Sequence, residues 1–502
     1  MGHTQHLGVG QEAQGKTDCF WPIPECVEDE GLPPMPNHYH FTGQLTARDC
    51  KRHLAHRFVL EPTATALTIT FHFTPHRVNG MTNLLTLTLF DPAGCRGAGH
   101  RGGAAHTVTI TPDGATPGYR AGSLPPGEWI AQIDTHMIMP GEPVQYTLEI
   151  TTAVLAEVPL TPSSLHPFTL APLVLSAAAG RPSPPAPPGP GWYRGDLHSH
   201  TEHSDADRSV ADLLTAAQAV GLDFICLTDH NTVSGLAELH TASTGLLTIG
   251  GIELTTFWGH ALRLGTHEWV DWRMRPGTGA ITQMADASAV AGHLFIIAHP
   301  LAVGDPACTG CAWRYPEMMP GNARFVEIWN GPWGCDSNNE LALAFWYDWL
   351  NQGLRLVATA GSDTHSNDDY ATRPGFTVIY AETLSEAGLF AGLRRGHVYL
   401  SSGPHLHLVA QTADGATWQI GATVVHPATF TLTWAACPAD AQIQIVVSGR
   451  RFAQWACGVA GEQQWALTPA EADWCTVEIR DAAGELLAIT NPIFLTDPFR
   501  EE

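Results

Sequence analysis

Alternation of apolar and polar positions dominates the first third of the chain. Short runs such as "TALTITFHFT", "NLLTLTLFD", "HTVTITPDG", "EWIAQID" and "VQYTLEIT" keep a two-residue period and are rich in Thr, Val and Ile. Successive side chains of a strand leave opposite faces, so this period marks half-buried strands. Turn signals at Asp113-Gly114 and Pro126-Gly127 separate the runs. The pattern, clearest over 43–152, predicts an N-terminal β-sandwich within 40–160. Packing or lid support is its expected role, rather than catalysis.

The period then breaks. "GRPSPPAPPGP", residues 180–190, can neither continue a helix nor donate fully to a ladder, and reads as a semi-rigid linker. Over 191–402, apolar strand patterns alternate with helical ones. "SVADLLTAAQAVG" sets Val210, Leu213, Leu214, Ala217 and Val220 on one helical face, with Ser209 and Asp212 as a capping box and Gly221 at the stop. Further helices are expected near 280–291, 339–352 and 384–395. Between them stand "DFICLTDH", "LLTIGGIEL", "GHALRLG", "LFIIAHP", "RFVEIWN", "RLVATAGSD" and "GFTVIYA". Such alternation predicts a parallel sheet, and polar residues at successive strand ends favour a barrel. Over 403–502 the helical period vanishes, and "ATFTLTWAAC", "AQIQIVVSG" and "CTVEIRDAAGELLAIT" predict a C-terminal β-sandwich. The expected fold class is multidomain, α/β plus β.

Charge narrows the partners. Against 49 Asp and Glu stand 25 Lys and Arg, a formal net charge of −24 over 502 residues. So negative a surface repels phosphate backbones and anionic lipid, which disfavours nucleic-acid and membrane partners. No apolar run approaches the ~18 residues of a membrane span, the longest being 170–179. The opening "MGHTQHLGVGQEAQGKTD" lacks the apolar stretch of a signal peptide. The 11 cysteines are odd in number and scattered, which suits reduced thiols and a cytoplasmic location. Cys308 and Cys311 form a single CxxC; two free thiols are expected there, with a local disulfide or a link to Cys335 as alternatives.

The chemistry gathers at the strand ends. "DLHSH" supplies His198 and His200, two apart and therefore on one face. Asp205 follows on a loop, "LTDHN" gives Asp229 and His230, and "GIELTT" gives Glu253. "WGHAL", "IIAHP" and "AGSDTH" add His260, His299, Asp363 and His365. Several imidazoles and carboxylates in one cavity are costly to desolvate unless a cation compensates. The mixture suits Zn, Mn or Fe rather than Ca or Mg. There are too many candidates for one ion, which implies two or three sharing a bridging carboxylate, naturally Glu253. Closely spaced ions lower the pKa of a bridging water toward neutrality, so hydrolysis by a metal-bridging hydroxide is the expected reaction.

In this order, "DLHSHTEHSDAD", "LTDHN", "GIEL", "AHP" and "GSDTH" resemble the PHP (polymerase and histidinol phosphatase) superfamily of metal hydrolases, over about 192–402. "FWGHALRLG", "VEIWNG" and the late "TNPI" are similar to its carbaryl-hydrolase-like (CehA/McbA-type) branch. The resemblance implies a distorted (βα)7 barrel, flanked here by the two β-sandwiches, with up to three ions. Carried over, His198, His200, Glu253 and Asp363 would hold the first ion. Glu253, His260 and His299 would hold the second, and Asp205, His230 and His365 the third. Ala206 stands where the family has glycine, and Leu262 where many members have the mid-chain histidine.

Around that set, Asp196 and Asp229 are expected to orient ligating histidines, or else to make ordinary strand-end hydrogen bonds. His203 is either a proton donor at the rim or a solvated loop histidine. Trp258 and Asn330, with Trp329 and Trp333, could wall a pocket, and Arg263, Arg373 and Arg194 could anchor a substrate anion. Core packing and surface ion pairs explain the same residues. The leading expectation is a metal-dependent hydrolase of small phosphate esters, with a carboxylic or carbamate ester hydrolase as the alternative. A non-catalytic sugar- or protein-binding protein is a further alternative. The oligomeric state is not legible.

Overall fold

The computed structural model describes residues 38–153, 189–242 and 244–496. The expected linker lies almost wholly outside the described residues, as do the run 170–179 and the N-terminal segment that bears on a signal peptide. The described strand runs of the first third form two four-stranded antiparallel sheets. One has the order His38–Leu45, Val144–Ala153, Ala66–Thr74, Ala105–Ile110; the other has His53–Leu60, Gly127–Met137, Leu84–Asp91, Gly94–Gly99. Their apolar faces share one core, in which Leu67, Phe71 and Leu148 meet Phe58, Leu85, Trp129 and Ile133. Alternating burial along Ala66–Thr74 is what a sheet packed on one side requires.

Seven central strands follow, adjacent in space in chain order: Gly191–Asp196, Phe224–Leu227, Leu247–Thr256, Gly259–Leu264, Leu294–Ile297, Phe325–Asn330 and Val357–Gly361. The second, fifth and sixth are buried throughout; the second and fifth are unbroken apolar runs, whereas the sixth carries Glu327 and Asn330 among its apolar residues. The expectation of an all-parallel sheet is corrected at the fourth strand, which runs antiparallel to both neighbours. Phe257 and Trp258 alone connect it to the third, and two residues close a hairpin but cannot make a crossover. Just beyond the first and seventh strands the segments that follow them meet, where Asp363 N donates to His198 O at 2.9 Å and Ser199 pairs with Thr364.

The helices form close to their predicted bounds, at Val210–Ala219, Ala280–Val290, Asn339–Asn351 and Glu386–Arg394, with a short Leu236–Thr241 in addition. Ser209 and Asp212 make the capping box, and Val210, Leu213, Leu214 and Ala217 are buried.

The C-terminal strands are not a separate body. From the first central strand the sheet continues through Phe376–Ala381, Val398–Ser401, Leu486–Thr490, Trp474–Arg480, Gln442–Val447 and Arg450–Ala456. A four-stranded sheet built on His405–Thr412 and Ala428–Ala435 covers it, so that Leu408, Phe430 and Leu432 share a core with Ile443, Ile445 and Val477. Asn491, of the "TNPI" run, bonds both backbone groups of Ala358 (2.8 and 2.9 Å) and stands in for a neighbouring strand at the edge of the seventh. Cys308 and Cys311 are joined as a disulfide rather than free, and Cys335 is unpaired with another cysteine. Among the described residues no helix is long and apolar enough to cross a membrane.

Candidate metal centre

Where the strands run out, polar side chains first fix the loops. The Asp196 carboxylate accepts from His198 N (3.2 Å), from the Ser362 backbone and hydroxyl, and from Tyr370 Oη (3.0 Å), tying the ends of the first and seventh strands together. Asp229 accepts from Thr201 N and Oγ1 (2.8 and 2.7 Å) and Ser204 Oγ (2.7 Å), shaping the turn between His200 and Asp205. Both acids therefore hold backbone and hydroxyl groups of the loops rather than imidazoles. Arg208, buried and absent from the sequence expectations, donates to Ser366 O (2.9 Å) and Thr364 O (3.2 Å).

All the ligand candidates then converge. Glu253, fully buried, stands between two sets of imidazoles. Its Oε1 lies 3.0 Å from His260 Nδ1 and 3.3 Å from His299 Nε2. Its Oε2 lies 2.6 Å from His230 Nδ1, 3.3 Å from His198 Nε2 and 3.5 Å from His200 Nε2. Asp363 Oδ1 approaches His200 Nε2 (2.9 Å) and His198 Nε2 (3.4 Å). Asp205 Oδ1 approaches His365 Nε2 (3.1 Å) and His230 Nε2 (3.4 Å). Four overlapping groups have mutually close donor atoms: His198, His200 and Asp363; His198, Glu253 and His299; His230, Glu253 and His260; and His200, Asp205, His230 and His365. The two histidines of the expected second set both face Glu253 Oε1, and each also falls in a group with a second imidazole, His299 with His198 and His260 with His230.

These atoms crowd one another without satisfying one another. His198 Nε2, both ring nitrogens of His200 and of His260, Glu253 Oε2 and Asp363 Oδ1 are buried with no hydrogen-bond partner. Buried polar atoms are ordinarily paired, and orphaning each costs about 1–3 kcal/mol. Burial alone would raise the acids' pKa values. The histidines outweigh it: His230, His198 and His260 hold Glu253, and His198, His200 and His365 hold Asp363, well below the ordinary carboxylate range. Carboxylate oxygens and imidazole nitrogens brought this close together are the donor types that divalent cations require, and this donor set fits them.

Two ligand candidates sit in unusual backbone. His299 (φ 27°) and Asp363 (φ 49°) occupy the left-handed region, disfavoured for residues with a Cβ and concentrated at functional sites. His299 is held by its N–H, which donates to Glu327 Oε2 at 3.1 Å. Glu327 also faces His198 Nδ1 at 3.2 Å and accepts from Asn330 Nδ2 at 3.1 Å. It is the carboxylate that orients a ligand candidate, and sequence reasoning missed it. The signal was a lone acid inside the otherwise apolar "RFVEIWN", where burial demands a partner.

A cavity of about 370 Å³ opens on this cluster. Asp205, His230, His260, His299, Asp363 and His365 line it on one side. Pro306, Ala307, Cys308, Thr309 and Cys311 form a second wall, and Thr82, Leu84, His100 and Met137 of the N-terminal sandwich form a third. The His100 ring lies 4.7 Å from that of His230. Burial, with His230 adding to it, lowers its pKa to about 3, so the ring is neutral.

Of the other expected residues, only Asn330 reaches the centre, its Nδ2 3.2 Å from Asp363 Oδ2. Trp258 lies at the hairpin turn under Lys51 (4.2 Å), and Arg263 stands on the opposite strand face from His260. Arg373 is exposed, at the end of a 3-10 turn. None of the three lines the cavity. Trp329 packs on Trp333, and Arg194 lies over Phe376. His203 is neither solvated nor at the rim: it is buried against Ser234 Oγ (2.8 Å) and Glu238 Oε1 (3.2 Å).

Residues 196–300 match the family model of the PHP domain, a span that holds every ligand candidate except Asp363 and His365. A stretch of 65 residues, 12% of this chain, is 37% identical to the 5'-3' exoribonuclease of Haemophilus influenzae. The chain spans about a quarter (24%) of that curated relative. Similar solved structures include the following two. A two-domain protein from Bacteroides vulgatus, described as containing a predicted PHP-like metal-dependent phosphoesterase, is 15% identical with a TM-score of 0.33, covering 63% of this chain and 100% of that one. A candidate metal-dependent phosphoesterase from Bifidobacterium adolescentis is 18% identical with a TM-score of 0.24, covering 36% and 89%.

Proposed function

We propose that this protein is a metal-dependent hydrolase of small esters, with phosphate esters as its first substrate class. The observation that carries the reading is Glu253, whose two oxygens face separate imidazole sets and suit a carboxylate shared between ions. The PHP-domain match supports it, and the exoribonuclease relative supports phosphoester chemistry in particular. His198, His200 and Asp363, then Glu253 with His260 and His299, then Asp205, His230 and His365 would hold two or three divalent ions of the Mn, Zn or Fe kind. When bound, such ions acidify water and neutralise charge developing on the attacked ester. Asn330 and Glu327 hold Asp363 and His198 in place. Hydrolysis consumes one water: its oxygen bonds to phosphorus, the bond to the leaving oxygen breaks, and that oxygen takes up a proton.

A carboxylic or carbamate ester is the second reading, favoured by one feature. No Lys or Arg is among the residues lining the cavity, whereas a phosphomonoester dianion ordinarily meets such cations. A binding protein without catalysis would not need so complete a donor set. The net charge of −24 argues against nucleic acid as substrate.

The test is metal analysis of the purified protein with turnover of p-nitrophenyl phosphate, bis-p-nitrophenyl phosphate and a naphthyl carbamate. Bound metal and chelator-sensitive phosphoester turnover are expected. Metal-dependent turnover of the carbamate alone would reverse the ranking, and a metal-free, inactive protein would end the hydrolase reading. Glu253→Gln should lower turnover by ~100-fold or more and cut metal content; near-wild-type rates would remove it from the bridging position.

A further inference from the structure

The cavity has an owner that the ligand set does not account for. Its third wall comes from residues 82–137, at least sixty positions before the first ligand candidate. Leu84 and Met137 are direct cross-strand partners, so their side chains stand together on one face of the sheet. Both are only half-buried, unlike Leu85 and Ile138 beside them, and both line the cavity with Pro306 and Ala307 opposite. Apolar surface kept open beside a dense polar cluster is surface that a ligand can cover. The absence of Lys and Arg from the lining fits a group without charge. His100, on the same wall, lies against His230 and has Nδ1 buried with no hydrogen-bond partner. A ring nitrogen left without a partner beside the cavity is one that a ligand group can pair with.

We infer that the N-terminal β-sandwich forms the substrate-binding wall of the centre: Leu84 and Met137 seat an uncharged apolar substituent of the ester, and His100 hydrogen-bonds to its polar head. The inference rests on the hydrolase reading and names the kind of ester. It also gives the sandwich a part in specificity, beyond support.

The experiment compares paired probes that differ only in the apolar group. Phenylphosphonate and methylphosphonate are measured as inhibitors, and phenyl and methyl N-methylcarbamate as substrates, on the metal-loaded full chain. In the wild type the phenyl member should bind about tenfold or more tightly, from burial of the ring. Leu84→Ala with Met137→Ala should erase that gap with metal content unchanged. His100→Ala should weaken both members of a pair alike, by about tenfold. Should the double variant not fold, Met137→Gln, similar in length but polar, carries the same expectation. No gap in either wild-type pair, or a gap that survives the substitutions, overturns the apolar seat. Unchanged affinities in His100→Ala remove that residue from the wall. If the phosphonates fail to bind while the carbamate pair shows the gap and loses it on substitution, the seat stands and the phosphoester reading falls.

Discussion

Glu327 shows how a single buried charge can govern a centre it does not line. Its carboxylate faces His198, takes the backbone N–H of His299 and holds Asn330 beside Asp363. Glu327→Gln keeps the shape and removes the charge that stabilises the His198 ring orientation. Metal affinity should fall by roughly 10- to 100-fold, measured by competition with a chromophoric chelator, with the fold retained. His136 offers a different test at this scale. Its ring lies among His100, Phe257 and Trp272, and burial holds its pKa well below the ordinary value. The unfolded chain binds a proton near pH ~6.5 that the folded chain refuses, so stability is lost as pH falls below that value, by about 1.4 kcal/mol per unit. Urea titrations at pH 7, 6 and 5 should show His136→Phe losing less stability on acidification than the wild type. Most ligand candidates were legible as residues because they interrupt apolar strand runs or follow them, and Asp205 because it lies in the loop directly after His198 and His200. Arg208 and His100 were not, since one reads as a surface cation and the other sits in a glycine-rich loop far from the motifs.

At the scale of elements, close approach of backbone decides what the strand ends can hold. A Cβ on Gly361 would lie 2.4 Å from His198 Cβ and 2.5 Å from Glu327 Oε1. Gly361→Ala must therefore push the first and sixth strand ends away from the seventh. Stability should drop by about 1–3 kcal/mol, read by denaturant melting, together with weakened metal binding. Helix Val210–Ala219 was readable to its cap, because the 3.6-residue period and the Ser209–Asp212 pair act within one element. The antiparallel fourth strand was less so. Alternating strand and helix patterns suggested crossovers, and only the two-residue spacing at Phe257-Trp258 reveals the hairpin.

Across the whole molecule, the sheet ignores the divisions that composition suggests. The change of period near residue 403 is real, yet Val398–Ser401 pairs with Leu486–Thr490, so the C-terminal strands extend the central sheet. Pairing between such distant segments leaves no local trace in either. A chain ending at Ser402 would bare the fully buried strand Val398–Ser401 and leave the backbone of Ala358 without Asn491. It should be insoluble or lack a cooperative urea transition; a soluble fragment that melts cooperatively and binds metal would contradict the continuity seen here.

The clasp of Asn491 on Ala358 also sets an order of manufacture. A ribosome releases the sandwich wall first and the donors next, but the rim of the seventh strand is completed only once residue 491 has emerged. Until then the nascent polypeptide carries its donor cluster beside an open strand edge, and the cluster's surroundings close only when two segments more than 130 residues apart have met.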